Sequence, residues 1–100
     1  MLDLQKPYEF DWDQGNVVKN LLKHQIECRQ TEEAFTDENS FISEDLKHSS
    51  VEYRFLLIGK DNEGNVLYIV FTQRRNKVRI ISARVANKKE RRFYEQNKKV

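Results

Sequence analysis

Three runs rich in β-branched and aromatic residues constrain the fold of this 100-residue chain more than any other feature. They are Tyr53–Gly59, Val66–Thr72 and Val78–Arg84. Lys60–Asn65, the first connection between them, contains a glycine, as a hairpin loop requires. The second connection, Gln73–Lys77, is polar and strongly basic. Adjacent strands joined by such short loops form an antiparallel meander.

Further segments extend this predicted sheet. The middle run is apolar without alternation over Val66–Phe71, which predicts a central strand covered on both faces. Residues 37–50 are polar and are expected to loop over the surface, with Phe41 and Ile42 as a brief edge strand. Tyr8–Trp12 follows Pro7, so we expect it to be an edge strand at most.

Helical signals precede the sheet. Asp13 stands at the N-cap position of a segment with apolar residues at helical spacing, and this helix should end near His24 or Gln25. The apolar stripe of that helix consists of Val17, Val18, Leu21 and Leu22. A second short helix is expected around Arg29–Thr36.

A third helix should follow the sheet. Asn87 can cap it while Glu90, three residues later, returns the hydrogen bond, and this capping box predicts a helix over Lys88–Gln96. The predicted fold class is therefore α+β. We expect one domain over residues 1–100, with a three- to four-stranded antiparallel sheet, two N-terminal helices and a C-terminal helix.

Charge is segregated along the chain although the net charge is only +2. Residues 1–50 carry five basic and eleven acidic side chains, whereas residues 51–100 carry thirteen basic and five acidic ones. The second half therefore has the composition of an anion-binding surface, or of a solvated face of Lys and Arg. No apolar run has membrane-spanning length and no signal peptide begins the sequence, so we expect a cytoplasmic protein without a membrane partner.

The sequence lacks the motifs of several enzyme classes. Phosphate-binding glycine loops, a serine-hydrolase elbow and a zinc-protease helix are all absent. His24 and His48 have no metal-ligand spacing, and the lone Cys28 has no second thiol to pair with. We expect no cofactor and no metal.

Arginines on the predicted strands are the main candidates for chemistry. Arg54, Arg79 and Arg84 can bind phosphate with two hydrogen bonds and stabilise charge that builds on phosphorus, or can simply pair with carboxylates such as Glu52 or Glu90. Strand alternation places Arg79 and Arg84 on opposite faces unless a bulge intervenes.

Proton transfer needs a second set of groups. Lys23 and His24 end the first helix, and a histidine titrates near neutrality, although a histidine there also favours the helix dipole. Glu52 could serve as a base or be an exposed strand residue. Tyr94 could stack on a base or hold the last helix to the sheet.

The order of several short fragments resembles the BrnT family. The fragments are Trp12-Asp13, Asn20-x-x-Lys23-His24, Glu52-x-Arg54-Phe55, the unbroken Arg79–Arg84, and Glu90-Arg91-x-x-Tyr94-Glu95. The resemblance spans about Phe10 to Glu95. It implies a RelE-like fold, ribonuclease activity on RNA, and a ribbon-helix-helix antitoxin of the BrnA type, through which alone the pair would contact operator DNA.

Combining the residues with the resemblance gives one assignment of the site. Lys23, His24, Glu52, Arg54, Arg79 and Arg84 are the predicted catalytic residues. Arg74, Arg75, Arg91 and Tyr94 are the predicted RNA-binding residues. The competing hypothesis is a non-catalytic basic module that binds an acidic protein or nucleic acid.

The chain departs from the family pattern at the ends of its first helix. Gln14 replaces a usual proline after Trp-Asp, and the helix loses a favoured first residue. Gln25 replaces a usual glycine after Lys-His, so this helix cannot end in a glycine cap without strain. Cys28 and Glu38 are further departures, at positions where a larger apolar residue and a proline are common.

Overall fold

A computed structural model describes residues 6–45 and 52–98, apart from the side chains of residues 18–22. The helices are α1 (Gln14–His24), α2 (Cys28–Phe35) and α3 (Lys88–Asn97). The strands are β1 (Phe41–Glu44), β2 (Phe55–Lys60), β3 (Val66–Arg74) and β4 (Lys77–Val85). They form one antiparallel sheet in the order β1-β2-β3-β4, which confirms the predicted α+β fold.

The cap of α1 explains where the helix begins. The backbone N–H of Asn16 donates to the Asp13 carboxylate at 3.1 Å, and the Asn16 side chain accepts from the Asp13 N–H at 2.8 Å. This confirms the predicted N-cap. The predicted apolar stripe includes three side chains that lie outside the described part of the structure, those of Val18, Leu21 and Leu22. Gln25, directly after the helix, adopts a φ of 58°, the left-handed conformation that a glycine would adopt more easily.

The core lies between α2 and one face of the sheet. Phe35 of α2 packs edge-on against Phe71 of β3, with 5.0 Å between ring centroids, and Phe71 stacks on Phe55 of β2 at 5.5 Å. Leu57, Leu67, Ile69, Val78, Ile80 and Ala83 complete this buried face. Aromatic and aliphatic burial of this extent supplies the main stabilisation of a small domain.

The opposite face of the sheet is covered only in part. There α3 packs over Ile58 and Val66 through the buried Tyr94. Val70, farther along β3, is only half-buried. The prediction that β3 is covered on both faces is therefore confirmed under α3 and is incomplete beyond it.

One peripheral feature of the predicted sheet agrees with expectation and one differs. Tyr8–Trp12 contributes one parallel bridge, Phe10 to Val78, which agrees with an edge strand at most. Arg74 pairs with Lys77, so the second connection is shorter than predicted and consists of the two residues Arg75 and Asn76.

Gly59 marks a close approach between β2 and α2. A Cβ atom at Gly59 would lie 2.6 Å from the carbonyl oxygen of Ala34, and a backbone atom cannot easily retreat. We therefore predict that Gly59→Ala lowers the free energy of unfolding by about 1–3 kcal/mol, as measured by urea denaturation. Gly15→Ala is the matched control, since its nearest neighbour is only the movable Asp13 side chain at 3.2 Å. Equal stability of both variants would contradict this packing.

Candidate active site

An irregularity in β4 decides where its arginines point. Val70 of β3 pairs with Ser82, but the next residue, Phe71, pairs with Ile80, so Ile81 is an extra residue on β4. A bulge of this kind changes which residues face the same side. Val78, Ile80 and Ala83 all face the core and are buried. Arg79 and Arg84 therefore both face away from α2, because a bulge does intervene.

A cavity of about 250 Å³ opens beside Arg79, between the sheet and the start of α1. Its lining residues are Gly15, Asn16, Glu52, Arg54, Arg74, Arg79, Ile80 and Ile81. Three guanidinium groups thus share one cavity with one glutamate. The first turn of α1 adds the partial positive charge of a helix N-terminus. This concentration of positive charge suits a phosphate group.

Carboxylates hold Arg79 in place. Its Nη2 atom lies 2.7 Å from the Asp13 carboxylate, and Nη1 lies 3.7 Å from that of Asp11. The pKa of Asp13 is lowered, first by the hydrogen bond from the Asn16 backbone and then by Arg79. About half of the Asp13 side chain is exposed, so the ion pair with Arg79 is weak and open to exchange with another anion.

The backbone that carries Arg54 is fixed from two sides. The Arg54 carbonyl accepts a hydrogen bond from the N–H of Asp45 at 2.8 Å. The neighbouring Tyr53 carbonyl accepts one from the hydroxyl of the buried Thr72 at 2.6 Å. Glu52 lies 3.7 Å from a guanidinium nitrogen of Arg74. The segment that carries Glu52 and Arg54, directly before β2, therefore has an anchored backbone.

Arg84 lies outside this cavity. It donates two hydrogen bonds to Glu90, at 2.8 and 2.9 Å, and its guanidinium lies 4.2 Å from the centroid of the Tyr68 ring. Burial alone would raise the pKa of Glu90, but the hydrogen bonds from Arg84 and Asn87 outweigh it and the pKa is lowered. Five residues of strand separate Arg84 from Arg79, a distance of roughly 15 Å.

The two basic residues that end α1 also lie away from the cavity. Lys23 is exposed and His24 is half-buried. They occupy the C-terminal end of the helix, roughly 15 Å along its axis from the N-terminal end, where Asp13 contacts Arg79. The structure does not bring them together with Arg54 and Arg79.

The remaining predicted RNA-binding residues are dispersed. Arg75 is exposed in the turn between β3 and β4, and Arg91 donates to the carbonyl of Ala86 at 3.0 Å. The Tyr94 ring is only 3% exposed, and its hydroxyl donates to Asp37 at 2.6 Å. Of the two roles considered for Tyr94, this geometry corresponds to holding α3 against the sheet.

Comparison with protein families decides the assignment. The family model described as "Ribonuclease toxin, BrnT, of type II toxin-antitoxin system" matches residues 12–90. The chain belongs to the BrnT family. No curated protein matches it. The matched span contains all four strands and every residue that lines the cavity. The chain is thus a member of a family of ribonuclease toxins, and an antitoxin partner and an RNA substrate are implied at the level of the family.

Two further findings apply to the part of the BrnT chain that the structure describes. Across residues 6–45 and 52–98, no three His, Cys, Asp or Glu side chains are grouped closely enough to hold a metal ion. Over the same ranges, no helix is both long and apolar enough to cross a membrane.

The sequence alone does not identify every residue at this candidate site of the BrnT chain. Asp13 was assigned only as a helix cap, and Asp11 was not singled out, although both face Arg79. Tyr53 was assigned to a strand, but β2 begins at Phe55 and the Tyr53 side chain is exposed. The aspartates next to Trp12 offered a weak signal, because acidic residues before a helix often pair with basic residues nearby. No sequence pattern indicated the exposure of Tyr53.

The contact between Tyr94 and Asp37 gives a prediction for stability. Burial raises the pKa of Asp37, but hydrogen bonds from Tyr94 and from the N–H groups of Asn39 and Lys60 lower it overall. Tyr94→Phe keeps the ring and removes one donor to a carboxylate. We expect it to lower the free energy of unfolding by about 1–2 kcal/mol at pH 7.

The pH dependence of that loss follows from the lowered pKa. Stability from an ionised Asp37 is present above its unfolded pKa and is lost as the pH falls through the lower folded value. The difference between wild type and Tyr94→Phe should therefore be full at pH 7 and shrink below about pH 4 in urea titrations. A variant with wild-type stability and weaker RNA binding would show instead that Tyr94 acts on RNA.

Proposed function

We propose that this BrnT chain is a metal-independent endoribonuclease that causes growth arrest by cutting RNA in the cavity beside Arg79. The presence of Arg54, Arg74, Arg79 and Glu52 in the lining of one cavity carries the proposal. Arginine is always charged and binds phosphate oxygens with two parallel hydrogen bonds. Three of them can neutralise a phosphodiester and the additional charge of its transition state without a metal ion.

The reaction proposed for this cavity is attack by the RNA's own 2′-hydroxyl. Glu52 accepts the proton as the 2′-oxygen bonds to phosphorus, and the bond from phosphorus to the 5′-oxygen breaks. The leaving oxygen takes a proton from water, and the hydroxide that remains takes back the proton held by Glu52, which regenerates the carboxylate. The products are a 2′,3′-cyclic phosphate and a 5′-hydroxyl. Arg54 and Arg79 stabilise the charge on the pentacoordinate phosphorus.

The exchangeable ion pair of Arg79 supports this assignment. A phosphate that enters the cavity can replace the exposed Asp13 carboxylate on Arg79, since exposed ion pairs are worth little in water. Arg84 is proposed to link β4 to α3 and not to act on phosphorus, because it lies outside the cavity and Glu90 occupies its donors with two hydrogen bonds. Lys23 and His24 are proposed as RNA contacts at the far end of α1, not as proton-transfer groups.

The test is RNA cleavage by the purified chain in EDTA. Wild type should cut RNA and leave cyclic phosphate ends. Arg79→Ala should be about a hundredfold slower, a loss of about 3 kcal/mol of transition-state stabilisation. Arg84→Ala should lose less activity than Arg79→Ala and more stability, because it breaks the contact between β4 and α3.

Arg92→Ala is the matched charge control. Arg92 is exposed on α3, away from the cavity, so its loss removes one positive charge and should preserve most of the activity. Cleavage that stops in EDTA and returns with magnesium would overturn metal independence. An Arg79→Ala chain that is folded and fully active would overturn the cavity as the active site.

We further propose that the partner is a BrnA-like ribbon-helix-helix antitoxin, which alone contacts operator DNA. A groove of about 470 Å³ between β1 and α3 supports a docking place for it. Phe41 and Phe93 line this groove, are partly exposed, and contact each other edge-on at 5.0 Å. We propose Phe41 and Phe93 as the apolar anchors for the partner, because both are exposed whereas the neighbouring Tyr94 is buried. Lys88, Lys89 and Arg92 of α3 supply positive charge for acidic side chains of the partner.

Co-expression with the product of the adjacent gene tests this proposal. The two proteins should co-purify, and the complex should cleave RNA more slowly than the free chain. Phe93→Ala should weaken the complex by about tenfold or more, whereas Phe93→Tyr keeps an aromatic ring and should bind well. Separate elution of the two proteins, or a complex as active as the free chain, would contradict the proposal.

A further inference from the structure

Tyr53 is a large aromatic side chain that the fold leaves on the surface. Tyr53 is 61% exposed to solvent, whereas Phe55, two residues later, is buried in the core. Its backbone is nevertheless fixed, because the hydroxyl of the buried Thr72 donates to the Tyr53 carbonyl at 2.6 Å. An anchored backbone with an exposed ring is a suitable platform for a flat ligand.

A second cavity, of about 280 Å³, adjoins this ring. Its lining residues are Glu52, Tyr53, Phe55, Thr72, Gln73, Arg75 and Asn76. The lining thus combines one exposed aromatic ring with side-chain amides and a guanidinium. Amides can donate to and accept from the edge of a nucleobase, and an aromatic ring can stack on its face.

The two cavities share one lining residue. Glu52 lines both, and Tyr53 is followed directly by Arg54 of the first cavity. Neighbouring Cα atoms lie about 3.8 Å apart, so the two cavities adjoin each other along the chain. A nucleotide has the same arrangement, with a planar base a short distance from its phosphate.

We propose that Tyr53 is the stacking platform of a nucleobase subsite, which binds the base beside the phosphate held in the arginine cavity. Gln73 and Asn76 lie where they can meet the base edge, and Arg75 borders the subsite. The occupant is a base of single-stranded RNA, not a protein, because the subsite shares Glu52 with the phosphate cavity and is lined mostly by polar side chains. This inference rests on the proposed function for the location of the phosphate.

The test measures binding of a labelled, single-stranded 2′-deoxy oligonucleotide by fluorescence anisotropy. This probe lacks the 2′-hydroxyl and is not cut, so binding is separated from cleavage. A set of probes carries one abasic nucleotide at successive positions. Wild type should bind one of these probes about tenfold more weakly than the intact probe, since stacking on one base contributes about that factor.

Variants of Tyr53 identify the partner of that base. Tyr53→Ala should bind the intact probe about tenfold more weakly and lose nothing further at the sensitive position, while Tyr53→Phe should behave as wild type. Val85→Ala removes part of an exposed apolar side chain at the far end of β4 and should leave the probe series unchanged. Wild-type binding by Tyr53→Ala would overturn the subsite. So would a Tyr53→Ala chain that remains sensitive at the same abasic position.

Two outcomes separate this inference from the proposed function. A chain that shows the position-specific loss but cuts no RNA keeps the subsite and loses the ribonuclease assignment. A chain that cuts RNA equally well with Tyr53 or alanine, and binds the probes equally, keeps the ribonuclease and loses the subsite. Tyr53→Ala that fails only to bind the antitoxin would reassign the ring to a protein partner and overturn the proposal.

Discussion

The extra residue of β4 opposite the Val70–Phe71 step determines which of its side chains meet the core. With strict alternation, Val78 and Ile80 would lie on one face and Ala83 on the other, so one group would leave the core. The bulge lets both groups remain buried. The irregular backbone is stabilised because the buried Asn16 amide donates to the Ile80 carbonyl at 3.2 Å. Core packing therefore forces the arginines of β4 to the other side.

The fold gives two arginines of one strand different roles. Arg84 is held by two hydrogen bonds to Glu90, which also closes the capping box of α3, so this arginine connects β4 to the helix. Arg79 meets Asp13, whose side chain is half exposed and also caps α1. A ligand can displace the half-exposed Asp13 from Arg79 more easily than the less exposed Glu90 from Arg84. The proposed chemistry is thus concentrated at the end of the sheet where α1 begins.

Much of the fold could be predicted because local signals agreed with one another. The N-cap of α1, the capping box of α3, the hairpin glycine and the β-rich runs each act within a few residues of sequence, and the structure confirms them. The bulge could not be predicted, because it results from fitting Val78, Ile80 and Ala83 into a core made by distant elements. For the same reason no pattern placed Asp13 on Arg79, or Lys23 and His24 far from it. These are contacts between segments that only the completed fold brings together or separates.

The backbone of the turn between β3 and β4 is strained. Arg75 and Asn76 both have positive φ, at 51° and 69°, as a two-residue hairpin with the right-handed twist of its strands requires. Asn-Gly is the pair that adopts this turn with least strain. An arginine at the first position lowers the free energy of unfolding by about 1 kcal/mol. The arginine at this position, Arg75, lines the Tyr53 cavity. Thermal stability and the proposed binding of RNA therefore make opposite demands on this one turn, and a chain selected for stability alone would lose the charge there.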